Sequence, residues 1–415
     1  MNAARRKALA VGFFWSALDQ VARLGVTRLV FFPIALRLLG PASFGDFVIA
    51  LSVCAVVGGA ISKGFTNQLI RTANEFAADE QVSILKTATA NTLLVTAVLL
   101  ALSGLAIVPF ADRLGGADLG FWLVVFMLHY LILNPTETMM VKYRIERNFR
   151  RMTLLHSVGV VALLAALVLF PLIGEWAVAL SLLLWAIVPA LWVAWSEGLE
   201  GVCVSTAVLR RTGRSVYDYM LGGFVQLSTG YLDRLMLAFW WPPEQVTVFF
   251  AAVSLALLFQ SPATMLATFV LSLLARVEGT RLSSTKLLGY LLASFAGGLV
   301  VYGVGIVLGD LLLRLLYPEQ HAESSQVMDL AVAASAMMTV STLIRPFVVK
   351  LRPSSWIPRL SIVTLVVRIF LTWLFVRSGG YEGAALALFY GSLFTTLAWV
   401  AAYLSVLRHS LLRST

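Results

Sequence analysis

Charge is what this sequence has least of. Only 13% of its 415 residues are Asp, Glu, Lys or Arg, against about 25% in an ordinary soluble domain. With 60% hydrophobic residues and a mean hydropathy of +0.88, the chain carries more apolar surface than a water-soluble core can hide. Its solvent is lipid. The two cysteines, Cys54 and Cys203, allow at most one disulfide and lack metal-ligand spacing, which excludes a disulfide scaffold. The four histidines, His129, His156, His321 and His409, are scattered along the chain and suggest no acid–base cluster. No Gly-x-x-x-x-Gly-Lys occurs, so an ATP site of that kind is excluded. Long polar stretches are missing too: the longest, Ser196 to Ser215, is too short for a separate soluble domain.

What the chain does have is apolar runs. A helix crossing the hydrocarbon layer needs about 20 mostly apolar residues, and twelve stretches qualify: Leu9 to Leu39, Phe44 to Ser62, Leu85 to Phe110, Leu119 to Met140, Met152 to Leu172, Trp176 to Trp195, Val216 to Trp241, Val246 to Ala275, Leu287 to Leu316, Val327 to Val349, Ile357 to Val376 and Gly383 to Leu407. The first imitates a secretory signal, Arg5-Arg6-Lys7 preceding apolar Ala8 to Leu18. No small-x-small cleavage site follows and the apolar pattern resumes after Asp19, so it reads as an uncleaved span.

The basic excess, 31 Lys and Arg against 21 Asp and Glu, would suggest nucleic acid in a soluble protein. Its distribution says otherwise. With the N-terminus inside, 23 of the 31 fall in cytoplasmic segments, as the retention of basic loops requires. The outer turns hold Arg37, Arg113, Arg314 and Arg377. The expectation is a multi-pass protein of a bacterial inner membrane, both termini cytoplasmic, with no nucleic-acid partner. The connection after the sixth span divides it into two six-helix bundles, 1–200 and 201–415. A weak echo links them, since the short outer turns at Gly40-Pro41 and Pro242-Pro243 both lead into aromatic-rich helix starts. Repeats of this kind place a transport site between the halves.

Ionisable groups inside a span cost about 2.5 to 3.5 kcal/mol each on insertion scales and are functional candidates by default. Asp19 and Arg23 stand at i, i+4 on one face of the first span, roughly 15 to 21 Å from its start. They either neutralise each other or line an aqueous cavity. Arg28 lies nearer the outer interface, where its stem can snorkel. Asp233 and Arg234 are adjacent in the seventh span and point about 100° apart, so they cannot simply pair with each other. Arg368 lies deep in the eleventh span with no oppositely charged residue at i±4. Guanidinium groups hold phosphate in a bidentate fork, so these six residues are the candidate substrate-binding set, suited to a phosphate-bearing or acidic-sugar substrate. Glu137, Gln20, Gln226 and Gln260 are the candidate ion-coupling or cavity-lining positions. His129, Tyr130, Asn134 and Glu137 form a polar strip interrupted by Pro135, and Pro33, Pro189, Pro262 and Pro346 also fall within spans. Phe65 to Phe76 reads as an interfacial amphipathic helix and Lys142 to Arg151 as a basic topology anchor.

Phe14-Trp15-Ser16, leading through Gln20 to Ile34-Ala35-Leu36-Arg37-Leu38-Leu39-Gly40-Pro41 and Phe44-Gly45, resembles the opening signature of the polysaccharide flippases, the Wzx-type O-antigen and capsule transporters of the MOP superfamily. Tyr231-Leu232-Asp233-Arg234-Leu235 with Val248-Phe249-Phe250-Ala251-Ala252, and Leu313-Arg314-Leu315-Leu316-Tyr317, are similar to that family's motifs around the seventh to ninth spans. Departures are Thr247-Val248-Phe249 where Gly-x-Tyr is frequent, and Trp240-Trp241-Pro242-Pro243 in place of a Leu-Gly turn. The resemblance implies an all-α integral membrane protein, MOP/MATE-like, V-shaped around a central cavity. It also implies a transporter that flips an oligosaccharide carried on undecaprenyl pyrophosphate for surface polysaccharide biosynthesis. Alternating access would be coupled to a proton or sodium gradient, with no cofactor, and assembly proteins such as a polysaccharide polymerase are the expected partners.

Three other readings compete. A MATE-type multidrug or cation antiporter needs intramembrane carboxylates, and four in-span arginines against Asp19, Asp233 and Glu137 have the opposite bias. A lipid II flippase of the same superfamily usually has two further spans. A membrane-embedded glycan-assembly enzyme needs a catalytic loop or an acid–base pair at the interface, and every outer connection here is short. The chain reads as a transporter and not as an enzyme.

Overall fold

The structure, a computed structural model, describes residues 3–72, 78–114, 116–146, 148–198, 200–275, 284–351 and 356–412. Among these every regular element is a helix. Nine helices among the described residues are long and apolar enough to cross a membrane, and two of them are each a pair joined through a glycine. Gly40 (φ 75°, ψ 168°) interrupts the first and Gly380 (φ 53°, ψ −135°) the last. Such positive φ values cost little only for glycine, and Pro41 sits directly after the first break, where its fixed φ starts a new helix. One further long helix is less apolar, because Asp218, Gln226, Asp233 and Arg234 interrupt it. Twelve rods result, in the order the sequence predicts. They are α1 (3–39), α2 (41–72), α3 (Ala78–Ile107), α4 (Leu119–Ile145), α5 (Phe149–Leu167), α6 (Trp176–Glu197), α7 (Thr206–Trp240), α8 (Pro243–Ala275), α9 (Ser284–Leu316), α10 (His321–Leu351), α11 (356–379) and α12 (381–412).

Several boundaries differ from the sequence reading because helix continues beyond the apolar run. α7 starts at Thr206, so the long connection before it shrinks to 198–205. Phe65 to Thr72 is no separate interfacial helix but the end of α2, and Phe65, Thr66, Gln68 and Leu69 are buried; residues 73–76 of that segment lie outside the described residues. Pro135, Pro189, Pro262 and Pro346 all sit within continuous helices.

The chain forms two compact units. One comprises residues 1–231 with 242–244, the other 232–241 with 245–415. In the first, α4 is central and packs on α2, α3 and α6, while α5 packs on α6 and α1. Phe47 of α2 meets Trp122 and Phe126 of α4 edge-on at 5.2 and 5.0 Å. Gly159 of α5 is required at its position, since a Cβ there would lie 2.9 Å from both the Trp185 carbonyl and the Pro189 ring of α6. In the second, α9 buries a single stripe, Leu287, Leu291, Ser294, Gly298, Gly305, Gly309 and Leu313. Its glycines let α10 approach closely, as small residues do between helices in lipid. Leu299, Val300 and Val307 are exposed and apolar on the same helix, the composition of a lipid-facing surface. Cys54 is buried, Cys203 exposed, and neither is disulfide-bonded.

Candidate functional site

In the first unit the α-helical hydrogen bonding of α1 loosens into π-type turns over Val21–Gly25 and Thr27–Phe31. Such turns are uncommon and frequent at functional sites. They follow directly on Asp19 and enclose Arg23, whose carbonyl accepts the Thr27 hydroxyl. The expected intrahelical pair is present, with Arg23 and Asp19 3.4 Å apart. It is one edge of a larger cluster. His156 of α5 bonds Asp19 Oδ1 through Nδ1 at 2.6 Å, and its Nε2 lies 3.3 Å from Glu137 Oε1 of α4 without hydrogen-bond geometry. Glu137 also pairs with Arg23 at 3.4 Å and with Arg144 at 3.2 Å. Two carboxylates, two guanidinium groups and one imidazole from three helices therefore neutralise one another in a buried site. Asp19 is 2% and His156 4% exposed.

The second unit holds a smaller cluster. Arg368 of α11 donates to Asp233 Oδ2 of α7 at 2.5 Å, and Thr372 donates to Asp233 Oδ1 at 3.0 Å. Both charged side chains are 3% exposed. The aliphatic stem of Arg368 lies over Gly391 of α12, where a Cβ would sit 3.3 Å from it. Arg234, one residue along, turns away and stacks on the Phe250 ring of α8, 4.9 Å from its centroid. Asp233 and Arg234 thus have separate environments, as the 100° turn between neighbours requires.

The remaining candidates are dispersed. Arg28 is half-buried in the second π segment and Gln20 half-buried just before the first. Gln226 accepts a hydrogen bond from Lys63 at 3.3 Å, and buried Gln260 donates to Thr342 of α10 at 3.3 Å. The polar strip of α4 divides in purpose. His129 Nδ1 bonds the Leu182 carbonyl at 2.8 Å, and Asn134 donates to the Gly58 carbonyl and the Thr96 hydroxyl at 3.0 and 3.2 Å. These tie α4 to α6, α2 and α3, whereas Glu137 alone belongs to the charged cluster. The basic segment after α4 is also structural. Lys142, Tyr143 and Arg151 converge on Glu197 at 2.6, 2.7 and 3.5 Å, fastening the ends of α4, α5 and α6; Arg147 lies outside the described residues.

His156, Arg144, Thr372 and Arg345 are the residues that sequence reasoning missed. Arg144 and Arg345 read there as cytoplasmic basic residues. Arg345 lies instead within α10, half-buried, with its guanidinium 5.2 Å from the centroid of Trp399 of α12.

No protein-family profile and no curated protein matches the sequence. Solved structures do. A lipid II flippase MurJ in an inward closed conformation aligns with a TM-score of 0.73 at 13% identity, over 97% of this chain and 90% of that one. An inward-facing multidrug resistance MATE family transporter of the MOP superfamily gives 0.67 at 13% identity, over 94% and 95%. A MOP superfamily transporter from Pyrococcus furiosus Vc1, described as having a binding pocket of reversed polarity, gives 0.69 at 15% identity over 95% of each chain. Likeness at these identities is likeness of fold. The chain is an all-α membrane protein with the architecture of the MOP superfamily transporters.

Proposed function

We propose that this protein is a transporter of an anionic, phosphate-bearing lipid, and specifically that it flips an oligosaccharide linked to undecaprenyl pyrophosphate across a bacterial inner membrane for surface polysaccharide synthesis. Both termini are cytoplasmic in this reading, and a proton or sodium gradient drives alternating access. The observation that carries it is the state of the carboxylates. Asp19, Glu137 and Asp233 are each engaged by the chain's own arginines or histidine. A cationic drug would have to displace a guanidinium or imidazole to reach any of them. Arginine groups, by contrast, suit phosphate oxygens through paired N–H donors. The sequence resemblance to polysaccharide flippases and the fold shared with a lipid II flippase support the same direction.

The test is complementation. Expression in bacteria lacking their own oligosaccharide flippase should restore surface polysaccharide and clear the accumulated lipid-linked intermediate. Arg28→Ala and Arg234→Ala should each reduce restoration at unchanged membrane level. Failure to move the intermediate of any donor strain, together with raised efflux of a cationic dye, overturns the proposal in favour of a cation antiporter.

A further inference from the structure

Along α10, residues 334–336, 339–341, 344 and 346–348 are buried, while Met337, Met338, Thr342, Leu343, Arg345 and Val349 are half-buried. Of these, Met338, Thr342, Arg345 and Val349 recur at i, i+4, i+7 and i+11, one face of a helix. That face is partly open along its length. Thr342 and Arg345, one turn apart, place a hydroxyl and a guanidinium on it, groups that lipid disfavours and water or a polar ligand accepts.

The local arrangement is that of a prepared anion receptor. Trp399 is 5% exposed and belongs to the core formed by α9, α10 and α12, so its ring is a fixed platform. Stacking on that platform orients the guanidinium plane, and among the described residues no carboxylate pairs with Arg345. This sets it apart from Arg23, Arg144 and Arg368, each of which is tied to an acid. Thr342 accepts from Gln260 Nε2 at 3.3 Å and keeps its hydroxyl proton to donate. We propose that Arg345, with Thr342 and Gln260, forms a phosphate-binding site on α10 that receives the pyrophosphate of the lipid-linked substrate. The site rests on the flippase reading for the identity of its ligand, though not for its chemistry. A guanidinium supplies two parallel N–H donors to one phosphate, and the Thr342 hydroxyl supplies a third to the same group or its neighbour.

The experiment uses the purified full-length protein in lipid nanodiscs of neutral phosphatidylcholine, and measures binding of undecaprenyl pyrophosphate, of inorganic pyrophosphate and of added phosphatidylglycerol. Arg345→Ala should weaken undecaprenyl pyrophosphate at least about tenfold, and Arg345→Lys should recover only part because a point charge replaces the fork. Thr342→Val should weaken it less. Arg408→Ala, near the end of α12, should bind as wild type. Arg345→Gln, which keeps the first three side-chain carbons and a polar end without the charge, serves if the alanine variant does not fold.

Wild-type affinity in Arg345→Ala or Arg345→Gln overturns the proposal. So does an equal loss in Arg408→Ala, which would mean diffuse electrostatics, or an Arg345-dependent loss confined to phosphatidylglycerol, which would make the residue a headgroup anchor. Arg345-dependent binding of inorganic pyrophosphate without any affinity for undecaprenyl pyrophosphate upholds the phosphate site and removes the flippase reading. Absence of all phosphate binding removes the site whatever the complementation shows.

Discussion

Replacing Arg368 by methionine keeps most of the volume over Gly391 and deletes the charge, which makes it the sharpest probe of the second unit. Asp233 would lose the 2.5 Å donor and retain only the Thr372 hydroxyl at 3.0 Å, in a position 2% exposed. Removing one member of a buried ion pair costs about 3–5 kcal/mol because the other charge stays buried without its partner. A unit of this size loses about 2–4 °C of thermal midpoint per kcal/mol, so Arg368→Met should lower the midpoint by about 6–20 °C. Asp233→Asn should be harmful for the reciprocal reason. Combining the two leaves an amide that still accepts from Thr372 and no charge at all, so the double variant should be more stable than Arg368→Met alone. The assay is the fraction of detergent-solubilised protein that stays monodisperse after heating through a temperature series. A midpoint for Arg368→Met within about 2 °C of wild type, or a double variant as unstable as the two singles added, would refute the coupling of α7 to α11 through this pair.

Two further outcomes follow from the same structure. His156→Leu removes the 2.6 Å donor from Asp19 and the imidazole between Asp19 and Glu137, and should destabilise the first unit by about 2–3 kcal/mol, read as a fall in the same thermal midpoint; an unchanged midpoint would mean that the two arginines alone balance the carboxylates. Gly380→Ala should cost more than Gly40→Ala. Both glycines have positive φ, which carries about 1–3 kcal/mol of strain for other residues, but a Cβ at Gly40 meets nothing within 4 Å, whereas at Gly380 it strikes the Gln245 side chain that accepts from the Tyr381 N–H at 3.2 Å. Equal midpoints for these two variants would remove the capping role of Gln245.

The spans were legible because membrane insertion writes a local signal, an apolar run about 20 residues long, and the i, i+4 pairing of Asp19 and Arg23 is local too. Partners brought together by helix packing leave no such mark. Asp233 and Arg368 stand 135 residues apart, and His156 and Asp19 137 apart, so neither pairing can be read from spacing. His156 looked isolated because its ligands lie on α1 and α4. Arg345 falls within the tenth apolar run, Val327 to Val349, but near its end and close to Lys350 and Arg352, and so was counted with the cytoplasmic basic residues. α10 carries it on a continuous helix to Leu351. Pro135 misled in the opposite sense: it marks no break, since α4 runs unbroken to Ile145.

Fold alone does not decide the sign of a ligand, because solved structures of the same architecture are described as multidrug transporters and as a lipid II flippase. The choice falls to side chains, and here it turns on what each incoming charge would have to break. A cation seeking Asp19 competes with His156 and Arg23; one seeking Glu137 competes with Arg23, Arg144 and the His156 imidazole; one seeking Asp233 competes with Arg368 and Thr372. The bonds of His156 to Asp19, of Arg23 to Glu137 and of Arg368 and Thr372 to Asp233 also join different helices, so displacing them would loosen the packing that builds each site. An anion approaching Arg345 displaces no carboxylate and strands no buried charge, since the guanidinium rests on an aromatic face. The cost of entry is therefore unequal for the two signs, and that inequality supports the anionic reading even though acids and arginines are nearly balanced in number within the clusters.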